Sequence, residues 1–185
     1  MGPATALAPV GKRGLLFRSP SPGLNRWSRS DTIPVMESFR YRHRVTYADC
    51  TVGNHVYYGR YLELLEAARG EWFRSLGKSF DEWHQGDGLI FPVLEVHLSY
   101  RSPARYDEVL TIELQVVAAR GVRLTLGYRV VGTEGRLILE GQTLHVCTSL
   151  EDKPRRLPPA LIASLGPSLE DAKGAEGRPT REVVP

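Results

Sequence analysis

The sequence predicts an α+β domain in which one long helix packs on an antiparallel sheet of about five strands. Three observations predict it. Residues 39–47 alternate side chains of opposite character at strand spacing. Residues 56–76 carry apolar side chains at helical spacing, and residues 89–147 hold four strand-like runs separated by turn residues. One long helix facing an antiparallel sheet is an α+β layer architecture.

The first strand places Phe39, Tyr41, His43, Val45 and Tyr47 on one face and Arg40, Arg42, Arg44 and Thr46 on the other, the signature of a half-buried strand. The helix is expected from about Val56 to Leu76. At about 100° per residue, with Arg60 at zero, Glu63, Ala67, Glu71 and Arg74 form a narrow polar stripe that only Leu64 interrupts. Tyr58, Tyr61, Leu62, Leu65, Ala68, Trp72, Phe73 and Leu76 occupy the rest, so the sheet should wrap this helix on more than one side. Glu66 and Arg69 fall about 120° and 180° from Arg60, on the apolar side. Unpaired buried charges are costly, so the two are expected to pair with each other or with groups across an interface.

The strand-like runs cover residues 89–100, 109–119, 122–131 and 137–147, broken at Ser102-Pro103, Arg120-Gly121 and 132–135. The last two breaks are short enough for hairpins. Residues 153–165 read as a Pro-led short helix. The expected boundaries are a basic, disordered extension over 1–35, a domain over 36–166, and a flexible tail over 167–185.

Composition narrows the classes. The chain has 185 residues, 42% hydrophobic and 24% charged, as in an ordinary globular protein with a sizeable core. The net charge is +3, but residues 1–35 hold five basic residues against one acid, a net of +4, which leaves −1 for the remainder. The basic character belongs to the extension, and no basic surface argues for nucleic acid. That extension is Arg- and Ser-rich and acid-poor, like a transit peptide. Its apolar pieces are too short and too interrupted by charge for a secretory signal. Met36, just before the first strand pattern, favours a disordered extension. No apolar run approaches membrane-spanning length, and the cytoplasm is the expected location, an organelle the alternative if residues 1–35 are a transit peptide. Two cysteines imply no disulfide framework, and no Cys/His cluster has zinc-ligand spacing.

The chemistry should lie between Tyr47 and Tyr58. This segment brings Asp49, Cys50, Thr51 and His55 to the start of the long helix, where unpaired N–H groups and the helix dipole favour developing negative charge. Asp49 can act as a base or as a turn or capping acceptor. His55 can act as a base through a water or as a packing residue, and Thr51 as the helix N-cap. Cys50 lies where a helix start could lower its pKa, and Cys147 reads as a strand residue; neither is favoured for catalysis.

Tyr47 and Asp49, then Gly53, then Val56-Tyr57-Tyr58, Tyr61 and Leu62, then Glu66 and Arg69 resemble the signature of the 4-hydroxybenzoyl-CoA thioesterase-like, or YbgC-type, acyl-CoA thioesterases. Residues 100–107 and the proline-rich exit at 154–158 resemble the same family, and the likeness covers roughly residues 38–165. It implies a hotdog fold, a long central helix wrapped by a curved antiparallel sheet, and a homodimer or homotetramer with active sites at subunit interfaces. It implies acyl-CoA as substrate, with no cofactor beyond that coenzyme A. Backbone N–H groups around Tyr57 and Tyr58 would be the oxyanion donors, and Tyr58, Tyr61, Leu65 and Arg69 would meet substrate along with residues 89–96.

The departure from the family motif is specific. That motif reads acid-x-Asp, its second acid being the catalytic carboxylate; here Asp49 takes the first position and Thr51 the second. Asn54 stands where the motif has a glycine, and Asn tolerates positive φ. The base is therefore expected at Asp49, at Glu66 or at His55. The alternative functions are an acyl-CoA-binding protein with little turnover, and a different hotdog enzyme such as a dehydratase or acyl transferase, whose Asp/His pair is not evident.

Overall fold

A computed structural model describes residues 38–165. The readings for residues 1–35 and 167–185 lie outside the described residues. Strand β1 (Phe39–Arg44) leads through a one-turn 3-10 helix (Tyr47–Asp49) to α1 (Arg60–Ser75) and α2 (Phe80–Asp87). Then come β2 (Leu89–Ile90), β3 (Val93–Tyr100), β4 (Val109–Arg120), β5 (Arg123–Val131), β6 (Leu137–Val146), β7 (Thr148–Ser149) and α3 (Pro159–Ser164). Five strands form one antiparallel sheet in the order β1-β4-β5-β6-β3. The expected long helix and five-stranded antiparallel sheet are both present.

The strands alternate as their sequences require. Leu110, Ile112 and Leu114 of β4, Leu124, Leu126, Tyr128 and Val130 of β5, and Leu139, Thr143 and His145 of β6 are all buried. The opposite face is charged. Glu113 of β4 lies 3.5 Å from Arg40 of β1 and 3.1 Å from Arg129 of β5, and Arg101 lies 2.8 Å from Glu140 of β6. Such exposed pairs add little stability each, but they mark this face as the solvated one.

Five differences from the sequence reading have physical causes. Helix α1 begins at Arg60, not Val56, because Val56 is held extended by a bridge to Cys50. It buries Tyr61, Leu64, Leu65, Ala68, Arg69, Trp72 and Phe73, a stripe at i, i+3, i+4 and i+7 spacing. That arc centres about 120° from Arg60 in one sense, whereas Glu66 lies about 120° away in the other. Glu66 is therefore exposed and Leu64 is buried, the reverse of expectation, because among the described residues one sheet covers only one side of the helix; Leu62, in the first turn, is exposed as well.

The segment between α1 and the sheet contains a second helix that apolar spacing does not reveal. Ser79 and Glu82 cap α2 reciprocally, with Ser79 N–H donating to Glu82 Oε2 at 2.6 Å, and Gly88 ends it at φ 63°. The Ser-x-x-Glu box and the glycine were its sequence signals. The run 89–100 is split at Phe91-Pro92: β2 pairs with β7, and β3 pairs with β6. Residues 153–158 are extended, since Ser149 and Arg155 donate their N–H groups to Lys153 and Cys147 carbonyls, and only Pro159–Ser164 is helical. No helix among the described residues is long and apolar enough to cross a membrane.

Candidate active site at the turn before the long helix

The turn is organised around Asp49. This residue is only 6% exposed. Its Oδ2 accepts the Thr46 N–H at 2.7 Å and the Thr46 hydroxyl at 2.8 Å, and lies 3.0 Å from His43 Nε2. Its Oδ1 lies 3.3 Å from Arg60 Nε. Burial alone would raise its pKa, but the Thr46 N–H, His43 and the Thr46 hydroxyl together hold it below the ordinary carboxylate value. A carboxylate so occupied is held ionised, with little capacity to take a proton from water.

Arg60 fastens the helix to this turn. It also donates to the Ala48 carbonyl at 3.0 Å and pairs with Glu63. The Asp49 carbonyl accepts the Tyr57 N–H at 2.9 Å, so Tyr57 cannot serve as an oxyanion donor, contrary to expectation. The N–H groups of Tyr58 and Gly59 meet no acceptor among the described residues. Gly59 is the helix N-cap and offers no capping side chain, so Thr51 does not cap α1. Thr51 instead donates its N–H and hydroxyl to the His55 carbonyl, at 2.8 and 3.2 Å. His55 itself is exposed.

Residues 100–107 buttress the turn from the other side. The Ala104 carbonyl accepts the Val56 N–H at 3.0 Å, and the Ala104 N–H donates to the Tyr61 hydroxyl at 3.3 Å. The Tyr100 hydroxyl donates to the Tyr58 carbonyl at 3.0 Å. Asn54 takes φ 55° and its Oδ1 accepts the Tyr106 N–H at 3.1 Å. The turn thus survives without the family glycine and gains an anchor that glycine could not supply. Asn54→Ala should cost about 1–2 kcal/mol through strain and the lost bond; Asn54→Gly should cost less. Urea unfolding of the two variants measures the difference.

The remaining candidates separate. Tyr58 is 64% exposed and its ring lies 4.4 Å from that of Tyr57. Tyr61 is buried, 5.6 Å from the Tyr100 ring. Glu66 is exposed and stands roughly 9 Å along the axis from the first helical residue, too far to share water with the Tyr58 N–H of its own chain. Arg69 is buried at 9% exposure, its guanidinium 6.0 Å from the Phe80 ring, and Glu66 is not its partner. Burial, then the neighbouring Asp49 charge, raises the Cys50 pKa rather than lowering it, so the helix start does not activate this thiol. Cys147 lies buried between β6 and β7. Among the described residues no three His, Cys, Asp or Glu side chains converge as metal ligands.

Sequence reasoning missed the supporting residues His43, Thr46, Arg60 and Tyr100. An inward-facing histidine six residues before a turn acid was the available signal for His43. Arg60 gave none, since a basic residue on a polar helix stripe reads as solvated.

Comparison with known proteins bears on this site. The Thioesterase superfamily model matches residues 53–139. The acyl-CoA thioester hydrolase YbgC of Escherichia coli O6:H1 is 34% identical over 126 residues, spanning 68% of this chain and 93% of that protein. The crystal structure of a 1,4-dihydroxy-2-naphthoyl-CoA thioesterase from Synechocystis superposes with a TM-score of 0.65 at 25% identity, covering 69% of this chain and 95% of that one. A 4-hydroxybenzoyl-CoA thioesterase structure gives 0.67 at 22% identity over 71% of this chain and 100% of its own, a likeness of fold.

Proposed function

Because the chain belongs to the thioesterase superfamily, among its YbgC-type members, we propose that it is an acyl-CoA thioesterase that hydrolyses acyl or aryl thioesters of coenzyme A. The observation that carries this reading is the pair of unengaged N–H groups, Tyr58 and Gly59, at the start of α1, beside a rigidly anchored turn. They suit the thioester carbonyl, whose oxygen becomes negative as water adds to its carbon. Collapse of that intermediate breaks the C–S bond, releasing the carboxylic acid and the thiol of coenzyme A. No cofactor is required beyond the coenzyme of the substrate.

The base is assigned by elimination within the turn. The Asp49 carboxylate is occupied on both oxygens, Glu66 is distant, and a threonine hydroxyl at position 51 is no base at neutral pH. His55 is left, taking a proton from the attacking water and returning it to the departing thiolate. Exposed Tyr57, Tyr58, Leu62 and Tyr100 suit an aliphatic or aromatic acyl group. The relatives' own substrates include naphthoyl and benzoyl thioesters.

The domain is assigned to residues 36–166, and a homodimer is the favoured assembly, a homotetramer the alternative. Two features support self-association: among the described residues β3 is an edge strand with no neighbour on its outer side, and it exposes Val93, Leu94, Val96 and Tyr100. The cytoplasm is the assigned location, an organelle if residues 1–35 act as a leader.

A panel of acyl- and aryl-CoA substrates tests the assignment. His55→Gln should lower kcat by about 10²-fold or more, while Glu66→Gln leaves the chemical step intact. Undiminished kcat in His55→Gln would remove His55 as base. Thr51 in place of the family acid favours one second reading, a binding protein with little turnover. Inert wild type together with an active Thr51→Asp variant would establish it.

A further inference from the structure

One arginine ties the β5–β6 connection to the segment that buttresses the turn. Arg136, just before β6, spreads its guanidinium over three acceptors. Its Nη1 donates to the Ser102 hydroxyl at 2.9 Å and to the Pro103 carbonyl at 2.7 Å, and its Nη2 donates to Glu108 Oε1 at 2.6 Å. The Arg136 side chain is 41% exposed, but that of Glu108 is only 9% exposed. A planar fork reaches a hydroxyl, a carbonyl and a carboxylate together, which the point charge of a lysine cannot do.

Glu108 is held from other sides as well. Its Oε1 accepts the Thr133 N–H at 3.1 Å, and its Oε2 accepts the Arg105 N–H at 3.2 Å. Gly132 leaves room for this approach, because a Cβ at that position would overlap Oε1. The carboxylate is therefore fixed by its neighbours rather than resting on a solvated ion pair.

The segment so clamped meets both arms of the turn. The Glu108 carbonyl accepts the Val45 N–H at 2.9 Å, one residue before Thr46, which holds Asp49. On the other arm the Ala104 carbonyl accepts the Val56 N–H, and the Tyr106 N–H reaches Asn54. Burial raises the Tyr61 pKa, and the Glu108 and Arg136 charges act on it in opposite senses. Both groups thus lie within electrostatic reach of the hydroxyl that accepts the Ala104 N–H. The hydrogen bonds of both side chains nevertheless stop short of residues 47–59.

We propose that Arg136 and Glu108 are positioning residues for thioester hydrolysis, holding residues 102–108 as a brace that keeps the Tyr58 and Gly59 N–H groups aligned on the thioester carbonyl. This rests on the thioesterase reading and deepens it. Neither side chain touches substrate; both act through Ala104 and Tyr106. Displaced donors lower the rate more than the binding, since the oxygen they meet gains its charge only as water adds.

Arg136→Met should lower kcat by about tenfold or more with little change in KM, at a temperature where the variant is fully folded. Arg136→Lys, which keeps the charge but not the fork, should fall between that variant and wild type. Gly132→Ala should reproduce the loss by displacing Glu108 with no change of charge. Arg129→Met, at an arginine that pairs with Glu113 on the solvated face, should match wild type. Amide NMR spectra of Arg136→Met should show the Tyr58 and Gly59 signals displaced and those of α2 in place.

A pair that merely stabilises the fold predicts a lower urea midpoint with kcat per folded molecule unchanged. That result, or Tyr58 and Gly59 signals that stay in place in Arg136→Met and Gly132→Ala alike, would overturn the proposal. If Arg136→Met does not fold, Gly132→Ala and Arg136→Lys carry the same readings. Absence of thioester hydrolysis in the wild type, with the amide signals displaced as expected, would overturn the enzymatic reading and leave the brace standing.

Discussion

Asp49→Ala is expected to lower the free energy of unfolding by about 3–5 kcal/mol, the cost of leaving a buried ionic network without one partner. The carboxylate meets the Thr46 N–H and hydroxyl, His43 and Arg60, and removing it orphans all of them together. Urea midpoints measure the loss. The same residue gives a kinetic discriminant, because its carbonyl holds the Tyr57 N–H and its side chain holds Arg60 to the turn. Asp49→Asn should therefore lower kcat by displacing the oxyanion donors while the shape of the pH–rate profile is retained. Disappearance of the low-pH limb in that variant would instead make Asp49 the base. As a structural carboxylate with a lowered pKa, Asp49 contributes stability that is complete above the ordinary carboxylate value and lost as pH falls through its lowered one.

His145 should make the fold acid-sensitive in a higher window. It is fully buried on β6; its Nδ1–H donates to the Phe91 carbonyl at 3.2 Å, and its Nε2 lies 2.7 Å from the Thr143 hydroxyl. Burial, then the Arg69 charge, lowers its pKa from 6.5 to about 4. The native state thus keeps the ring neutral where the unfolded chain protonates it. Stability is intact above pH 6.5 and falls as pH drops toward 4, by up to about 3 kcal/mol over the window. His145→Gln should be less stable than wild type at pH 7, yet show a flatter decline between those limits. Parallel stability-against-pH curves for the two proteins would rule out His145 as the source.

The hydrogen-bond capacity of particular residues explains what was legible. Alternation in 39–47 and helical spacing in 56–76 identify β1 and α1 because each element buries one face, and burial writes a period into the chain. Helix α2 left no such period over its eight residues and was announced only by Ser79, Glu82 and Gly88. Asp49, Thr51, His55 and Tyr58 were legible as neighbours because they lie in one turn. Their roles were not legible, since a role depends on which partner occupies each donor and acceptor. The Tyr57 N–H looked available until the Asp49 carbonyl was found facing it. Glu66 looked buried because an angle from one reference residue has no sign until the sheet shows which flank it covers.

By itself, then, the sequence determined the α+β order, the position of the turn and the replacement of an expected acid by Thr51. All of these are local properties carried by residues close in the chain. Only the tertiary structure decided that Asp49 is an anchor and that, among the described residues, Tyr58 keeps its N–H open and Arg69 is buried without an anion. Each of those facts depends on groups brought together from distant strands and helices, and no spacing along the chain records who meets whom across a folded core.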